Sequence, residues 1–193
     1  MCGRYYYGDE TEWDMRRIVS YVDDQINWNR KGDIHPSELA TVVTGKKPGF
    51  AAEDMRWGFP SYQSKQLMIN ARSETALEKK SFSDSVMKRR CIIMAKHFYE
   101  WDRNRNKVTF TWPESPSIYM AGFYNRYEDG DRFIILTTEA NESMSPVHDR
   151  MPLILAENQL EDWIYEDGMV RDFLRQGSPM LTREQEFEQL TLF

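Results

Sequence analysis

At 193 residues the chain fits one domain of ordinary size, long enough to bury a core without disulfide staples. Apolar residues make up 40%, aromatic residues 13% and charged residues 29%, a profile that excludes a disordered chain, and no apolar run approaches the roughly 20 residues of a membrane helix. The net charge of -6 argues at first against a nucleic-acid partner, but residues 157–193 hold nine acidic and three basic side chains, whereas 65–107 carry eleven Lys and Arg against five Asp and Glu.

Residues 3–7 read as a short aromatic strand. A helix is expected over 12–29, where Trp13, Ile18, Val22 and Ile26 give a ragged apolar stripe and Asp9 or Thr11 is available as a cap. After the loop at 32–36, β-branched or aromatic runs predict strands at 39–43, 52–57, 91–95, 98–101, 107–112, 118–123 and 132–138. Helices are expected at 73–79, 83–89, 157–165 and 169–175. No repeat or flexible linker divides the chain, so the expected architecture is a single α+β domain over residues 1–182, followed by a polar tail at 183–193 that offers little to a core.

The two cysteines have different settings. Cys91 opens the run Cys91-Ile92-Ile93-Met94-Ala95 and reads as buried and inert. Cys2 becomes the first residue once Met1 is removed, as aminopeptidases do ahead of a small side chain. It then carries an α-amine of pKa about 7.7–8.0 beside a thiol of pKa about 8.5. Such a 1,2-aminothiol suits aldehydes: the amine forms a Schiff base and the thiol closes a five-membered thiazolidine. By itself a cysteine at position 2 is weak evidence for that chemistry.

Four segments occur in order along the chain: Met1-Cys2-Gly3-Arg4, Ile69-Asn70-Ala71-Arg72-Ser73-Glu74-Thr75, Phe98-Tyr99-Glu100-Trp101 and His148-Asp149-Arg150-Met151-Pro152. With Arg56-Trp57-Gly58, Ala121-Gly122-Phe123-Tyr124 and the run at 135–141, they make residues 2–155 resemble the SOS-response-associated peptidase (SRAP) domain family. The resemblance implies a barrel-like, mostly antiparallel β-rich core with peripheral helices. It also implies a positively charged groove and covalent capture of abasic sites in single-stranded DNA, whose ring-opened form presents an aldehyde. A monomer in the cytoplasm, associated with the nucleoid, is expected, with no membrane partner, cofactor or metal; His35 and His97 have no neighbours at zinc-ligand spacing.

Cys2, Asn70, Glu100 and His148 are the candidate catalytic residues. Asn70 both donates and accepts, suited to holding the N-terminal amine or a sugar oxygen, and otherwise is a turn residue. Glu100, between Tyr99 and Trp101, is suited to proton transfer and otherwise is a solvent-facing strand residue. His148 can hold or release a proton near neutrality. Arg4, Arg72 and Arg150 are candidate phosphate clamps, with carboxylate salt bridges as the alternative. Trp57, Phe59 and Tyr62 suit base stacking and core packing equally.

The chain departs from the family pattern in three places. An Asn-Val-Ala-Pro-like loop is replaced by Asp33-Ile34-His35-Pro36, the stretch between Pro60 and Ile69 is short and lacks tryptophan, and the tail ends in Gln189-Leu190-Thr191-Leu192-Phe193. The tail resembles the peptides by which bacterial repair proteins dock onto the sliding clamp, with Gln189, Leu190, Leu192 and Phe193 as the contact residues. Two other readings of the whole chain stand beside the covalent one: a cysteine peptidase of N-terminal-nucleophile type with Glu100 or His148 as base, and a non-covalent single-strand binding module.

Overall fold

The structure is a computed structural model that describes residues 2–61 and 66–185. In chain order its elements are β1 (Tyr5–Tyr7), α1 (Asp9–Ile18), β2 (Val19–Val22), β3 (Gly32–Ile34), β4 (Leu39–Lys46), β5 (Gly49–Trp57), β6 (Phe59–Pro60), β7 (Leu67–Met68), β8 (Asn70–Arg72) and α2 (Ser83–Lys88). They continue with β9 (Arg90–Ala95), β10 (His97–Trp101), β11 (Lys107–Thr111), β12 (Ile118–Tyr127), β13 (Gly130–Glu139), β14 (Arg150–Pro152), β15 (Ile154–Leu155), α3 (Leu160–Tyr165), α4 (Val170–Phe173) and β16 (Thr182–Gln185). The α+β, mostly antiparallel architecture expected from the sequence is what forms.

Five strands close into a barrel in the order β13-β12-β9-β4-β5. All neighbours are antiparallel except at the seam, where β5 returns to β13 in parallel through Arg56 opposite Arg132 and Trp57 opposite Phe133. Every residue of β9 is buried, and after Arg90 it is an unbroken apolar run between two neighbouring strands. Cys91 is among them, and burial pushes its thiol far above the ordinary range. Trp57, Phe59, Phe123 and Phe133 fill the interior, so Trp57 and Phe59 are core residues and not stacking platforms; Tyr62 lies outside the described residues. Gly122 lets β12 approach its neighbours, because a Cβ there would sit 2.7 Å from the Ile134 carbonyl oxygen and 2.4 Å from Ile93.

A second sheet, β16-β11-β10-β1-β3, is antiparallel throughout and follows β9 directly through Lys96. Its edge strand β16 takes Thr182 to Gln185, including the first residues of the expected tail, and all four are exposed. The contact residues expected for clamp docking, Gln189 to Phe193, lie outside the described residues.

The helix expected over 12–29 is shorter. It ends at Ile18, and Val19–Val22 becomes β2, parallel to β5. Val19 and Val22 are β-branched and Tyr21 aromatic, so a strand edge outcompetes a helix whose stripe was irregular. The buried residues of α1 are Thr11, Glu12, Asp14 and Met15, while Trp13 is 71% exposed. Asp14 explains the polar burial, since it accepts from the Tyr119 hydroxyl at 2.6 Å and from Arg17. The expected helices at 73–79, 157–165 and 169–175 are likewise shorter, each opening or persisting as single turns.

Arg90 joins the peripheral helices to the barrel. Its buried guanidinium donates to the carbonyls of Met87, Trp163 and Ile164 and pairs with Asp167 at 2.7 Å. It thereby satisfies carbonyls at the C-terminal ends of α2 and α3.

Candidate active site

The site is assembled around two strands. On the first, β10, Tyr5 pairs with Phe98, and the Tyr99 amide donates to the Arg4 carbonyl at 3.0 Å, so the chain ahead of β1 runs beside Glu100 and Trp101. Strand alternation puts Glu100 on the same side as the buried Phe98, and Glu100 is itself 5% exposed. Cys2, with Met1 ahead of it, is 1% exposed. Its thiol donates to the Arg4 carbonyl at 3.7 Å. Burial holds that thiol well above its ordinary range, and the Glu100 carboxylate adds to the effect.

The second strand is β13. At Thr137 it pairs with Arg72 of β8 on one side and with Pro152 of β14 on the other. This brings together two of the four segments picked out in the sequence, and Asn70 at the start of β8 joins them to the N-terminus. Asn70 Nδ2 donates to the Cys2 carbonyl at 3.0 Å, while its Oδ1 is buried and accepts nothing among the described residues. A buried amide oxygen without a donor is costly, and it belongs to the same side chain that holds the Cys2 carbonyl.

His148 stands on the approach to β14. Its Nδ1 accepts from the Arg150 amide at 3.0 Å and also lies 2.9 Å from the Asp149 carboxylate. One nitrogen cannot serve both partners in one state. An amide can only donate, so the neutral ring uses the Nδ1 lone pair for Arg150 and carries its hydrogen on Nε2; the Asp149 contact belongs to the imidazolium.

The three arginines differ. Arg72 is exposed on β8 and makes no ion pair among the described residues. Arg4 is about one-third exposed, 3.7 Å from Asp33, with its guanidinium 5.0 Å from the Trp101 ring centre. Arg150 is buried and committed: it donates to both Glu74 oxygens and to the Thr137 carbonyl. The arginine holds the Glu74 carboxyl below its ordinary range. Of the expected phosphate clamps, Arg150 therefore takes the carboxylate alternative. Glu74, Asp33 and Trp101 are the neighbours that sequence reasoning left unassigned. Trp101 was recoverable from the alternation of β10, and Asp33 from its place in the departing loop.

The sequence of residues 1–189 matches the family model for SOS response associated peptidase, SRAP. The chain belongs to the SRAP family. Among curated SRAP relatives, the abasic site processing protein YoaM of Bacillus subtilis strain 168 is 30% identical over 91% of this chain and 84% of its own length. The abasic site processing protein YedK of Escherichia coli K12 is 24% identical over 86% of this chain and 81% of its own. A crystal structure from Bordetella bronchiseptica superposes on this SRAP chain with a TM-score of 0.79 at 25% identity, covering 96% of this chain and 100% of that one.

Proposed function

We propose that the chain processes abasic sites in single-stranded DNA by capturing them covalently, with Cys2 as the reacting residue once Met1 is removed. The observation that carries this reading is the convergence of Asn70 and Glu100 on Cys2, in a family whose named relatives are abasic site processing proteins.

The freed α-amine adds to the aldehyde carbon of the ring-opened sugar and the adduct loses water to give an imine. The thiol then adds across the carbon–nitrogen double bond, its sulfur bonding to carbon and its proton passing to nitrogen. The product is a thiazolidine plus one water. Glu100 accepts the proton from the attacking amine and returns it to the departing hydroxyl. Asn70 Oδ1 accepts from the amine or a sugar hydroxyl, and His148 donates from Nε2 to the sugar. Arg4 and Arg72 hold flanking phosphates, with Arg150 a positioning residue that acts through Glu74.

The chemistry of the product sets this order of events. An imine is a reversible, open adduct, and the thiol converts it into the closed ring, so the amine attacks first and the thiol traps.

The test incubates trimmed protein with abasic and intact oligonucleotides and resolves them on a denaturing gel. A shifted band that requires the lesion and is absent in Cys2→Ala supports the proposal. Binding without a shifted band discards it in favour of a non-covalent module, and peptide cleavage without either discards it in favour of a peptidase. Acetylating the α-amine is expected to abolish the band; an adduct that still forms would remove the thiazolidine assignment. Docking of Gln189, Leu190, Leu192 and Phe193 onto a sliding clamp is part of the same reading, and deleting 189–193 is expected to abolish retention of the clamp in a pull-down.

A further inference from the structure

The outer face of the sheet beside Cys2 carries a cluster that the chemistry above does not use. Strand alternation and register put Tyr6, His97, Tyr99 and Trp101 on the side away from Phe98 and Glu100. His97 stacks on Tyr6 with 4.8 Å between ring centres, and its Nε2–H donates to the Tyr99 oxygen at 2.8 Å. The Tyr99 hydroxyl in turn donates to Asp33 Oδ1 at 3.0 Å. Asp33 lies on β3 opposite Tyr6, and its second oxygen faces Arg4.

The two charges are held unequally. Asp33 is fixed by a chain of hydrogen bonds that ends in a stacked ring. Arg4 makes no side-chain hydrogen bond among the described residues, its Nε is buried without a partner, and the 3.7 Å to Asp33 exceeds hydrogen-bond length. Both side chains are about one-third exposed, so an incoming anion can reach them. The arrangement is that of a cation parked by attraction beside a fixed carboxylate and an exposed indole.

We propose that Asp33 is an internal competitor for Arg4, holding the guanidinium beside Trp101 in the free protein until a DNA phosphate takes its place. The proposal rests on the reading above that Arg4 contacts phosphate. A phosphate offers bidentate, charge-assisted bonds that Asp33 at this distance does not, so the exchange runs toward DNA. Releasing the guanidinium from the carboxylate nevertheless costs part of that gain. Asp33 thus weakens binding to single strands in general, whether or not they carry a lesion.

The experiment measures fluorescence anisotropy of a labelled, lesion-free oligothymidylate with wild-type protein, Asp33→Asn, Arg4→Gln and the double variant. An exposed pair of this kind is worth at most about fivefold in an equilibrium constant, and Asp33→Asn is expected to bind about threefold tighter. The gain is expected to vanish in the Arg4→Gln background. Unchanged or weaker binding by Asp33→Asn, or a gain that survives Arg4→Gln, overturns the proposal. Asp33→Glu keeps the charge and is expected to bind no tighter than wild type; a gain there also overturns it. Where melting shows that Asp33→Asn does not fold, Asp33→Ser replaces it with the same expected gain. Wild-type protein is run in parallel on the abasic denaturing gel, so absence of an adduct there removes the covalent reading and leaves the anisotropy comparison intact.

Discussion

Arg150 and Glu74 face each other across the end of β13 in a two-pronged ion pair, with nitrogen–oxygen distances of 2.7 and 2.8 Å. The pair fastens β14 to the turn that follows β8, so the two strands that flank Thr137 are locked from outside as well as through the sheet. Removing Arg150 strands a carboxylate and unties β14. Arg150→Met is expected to cost about 2 kcal/mol, less than a fully buried pair because the Glu74 carboxylate stays half in water. Arg72→Ala is expected to leave the melting temperature in place and to lower the slope of log affinity against log salt by about one for single-stranded DNA. The reverse pattern, a stable Arg150→Met with a reduced salt slope, would make Arg150 the phosphate ligand.

Asn70 is an amide that donates to the Cys2 carbonyl and whose oxygen accepts nothing among the described residues. Asn70→Asp keeps the shape but replaces that donor with a second acceptor, so the bond to the Cys2 carbonyl is lost and a charge enters a buried place. Adduct formation with abasic oligonucleotide is expected to slow by about tenfold or more, in line with loss of one oriented polar contact in a reacting site. Single-turnover gel kinetics measure this, and a rate within twofold of wild type removes Asn70 from the chemistry.

Burial keeps Cys2, Cys91, Tyr5, Tyr7 and Tyr119 in their neutral forms. Once unfolded, thiols ionise near about pH 8.5 and phenols near about pH 10. The unfolded chain therefore loses protons that the folded chain retains, so stability is full below that range and falls as pH rises through it. The melting temperature is expected to be level between about pH 7 and 8 and to drop steeply above about pH 9. A level profile up to about pH 11 would mean that these groups ionise in place.

Tyr5 adds a separate expectation, because its hydroxyl is buried with no hydrogen-bond partner among the described residues. Tyr5→Phe deletes an unsatisfied polar atom and is expected to stabilise by about 1 kcal/mol. Chemical denaturation midpoints decide it, and destabilisation would reveal a partner for that hydroxyl.

Gly122→Ala tests the barrel wall. The added methyl meets a backbone carbonyl of the next strand at 2.7 Å, which β12 and β13 can relieve only by moving apart. A loss of about 1–3 kcal/mol is expected. Equal stability would show that the wall yields more readily than its spacing indicates.

The strands were legible because the core imposes a pattern on them: β9 after Arg90 is an unbroken apolar run, and β10 is a short aromatic-rich run with Phe98, Tyr99 and Glu100 buried. Residues 19–22 were not, since what decides between helix and strand there is β5, more than twenty-five residues on. β16 was illegible for a different reason, because a strand exposed along its length carries no periodicity to read. In the site, Asn70 meets Cys2 and β8 and β14 flank β13, contacts that the order of the four segments along the chain did not specify. The partners of the arginines were hidden. Glu74 and Asp33 are distant in sequence from Arg150 and Arg4, and only the closed fold decides which guanidinium is spent and which is free.

The burial of Cys2 also sets a schedule. An aminopeptidase needs its target extended in a cleft, and Cys2 stops being extended and reachable once Tyr5 has paired with Phe98. That pairing waits for the ribosome to deliver β10, which at about 5–20 residues per second leaves several seconds during which the leading end of the nascent chain is unpaired. If Cys2 reacts as proposed, trimming of Met1 belongs to that interval. A chain that folds before it is trimmed would carry its nucleophile sealed under an amide, fully folded and chemically silent.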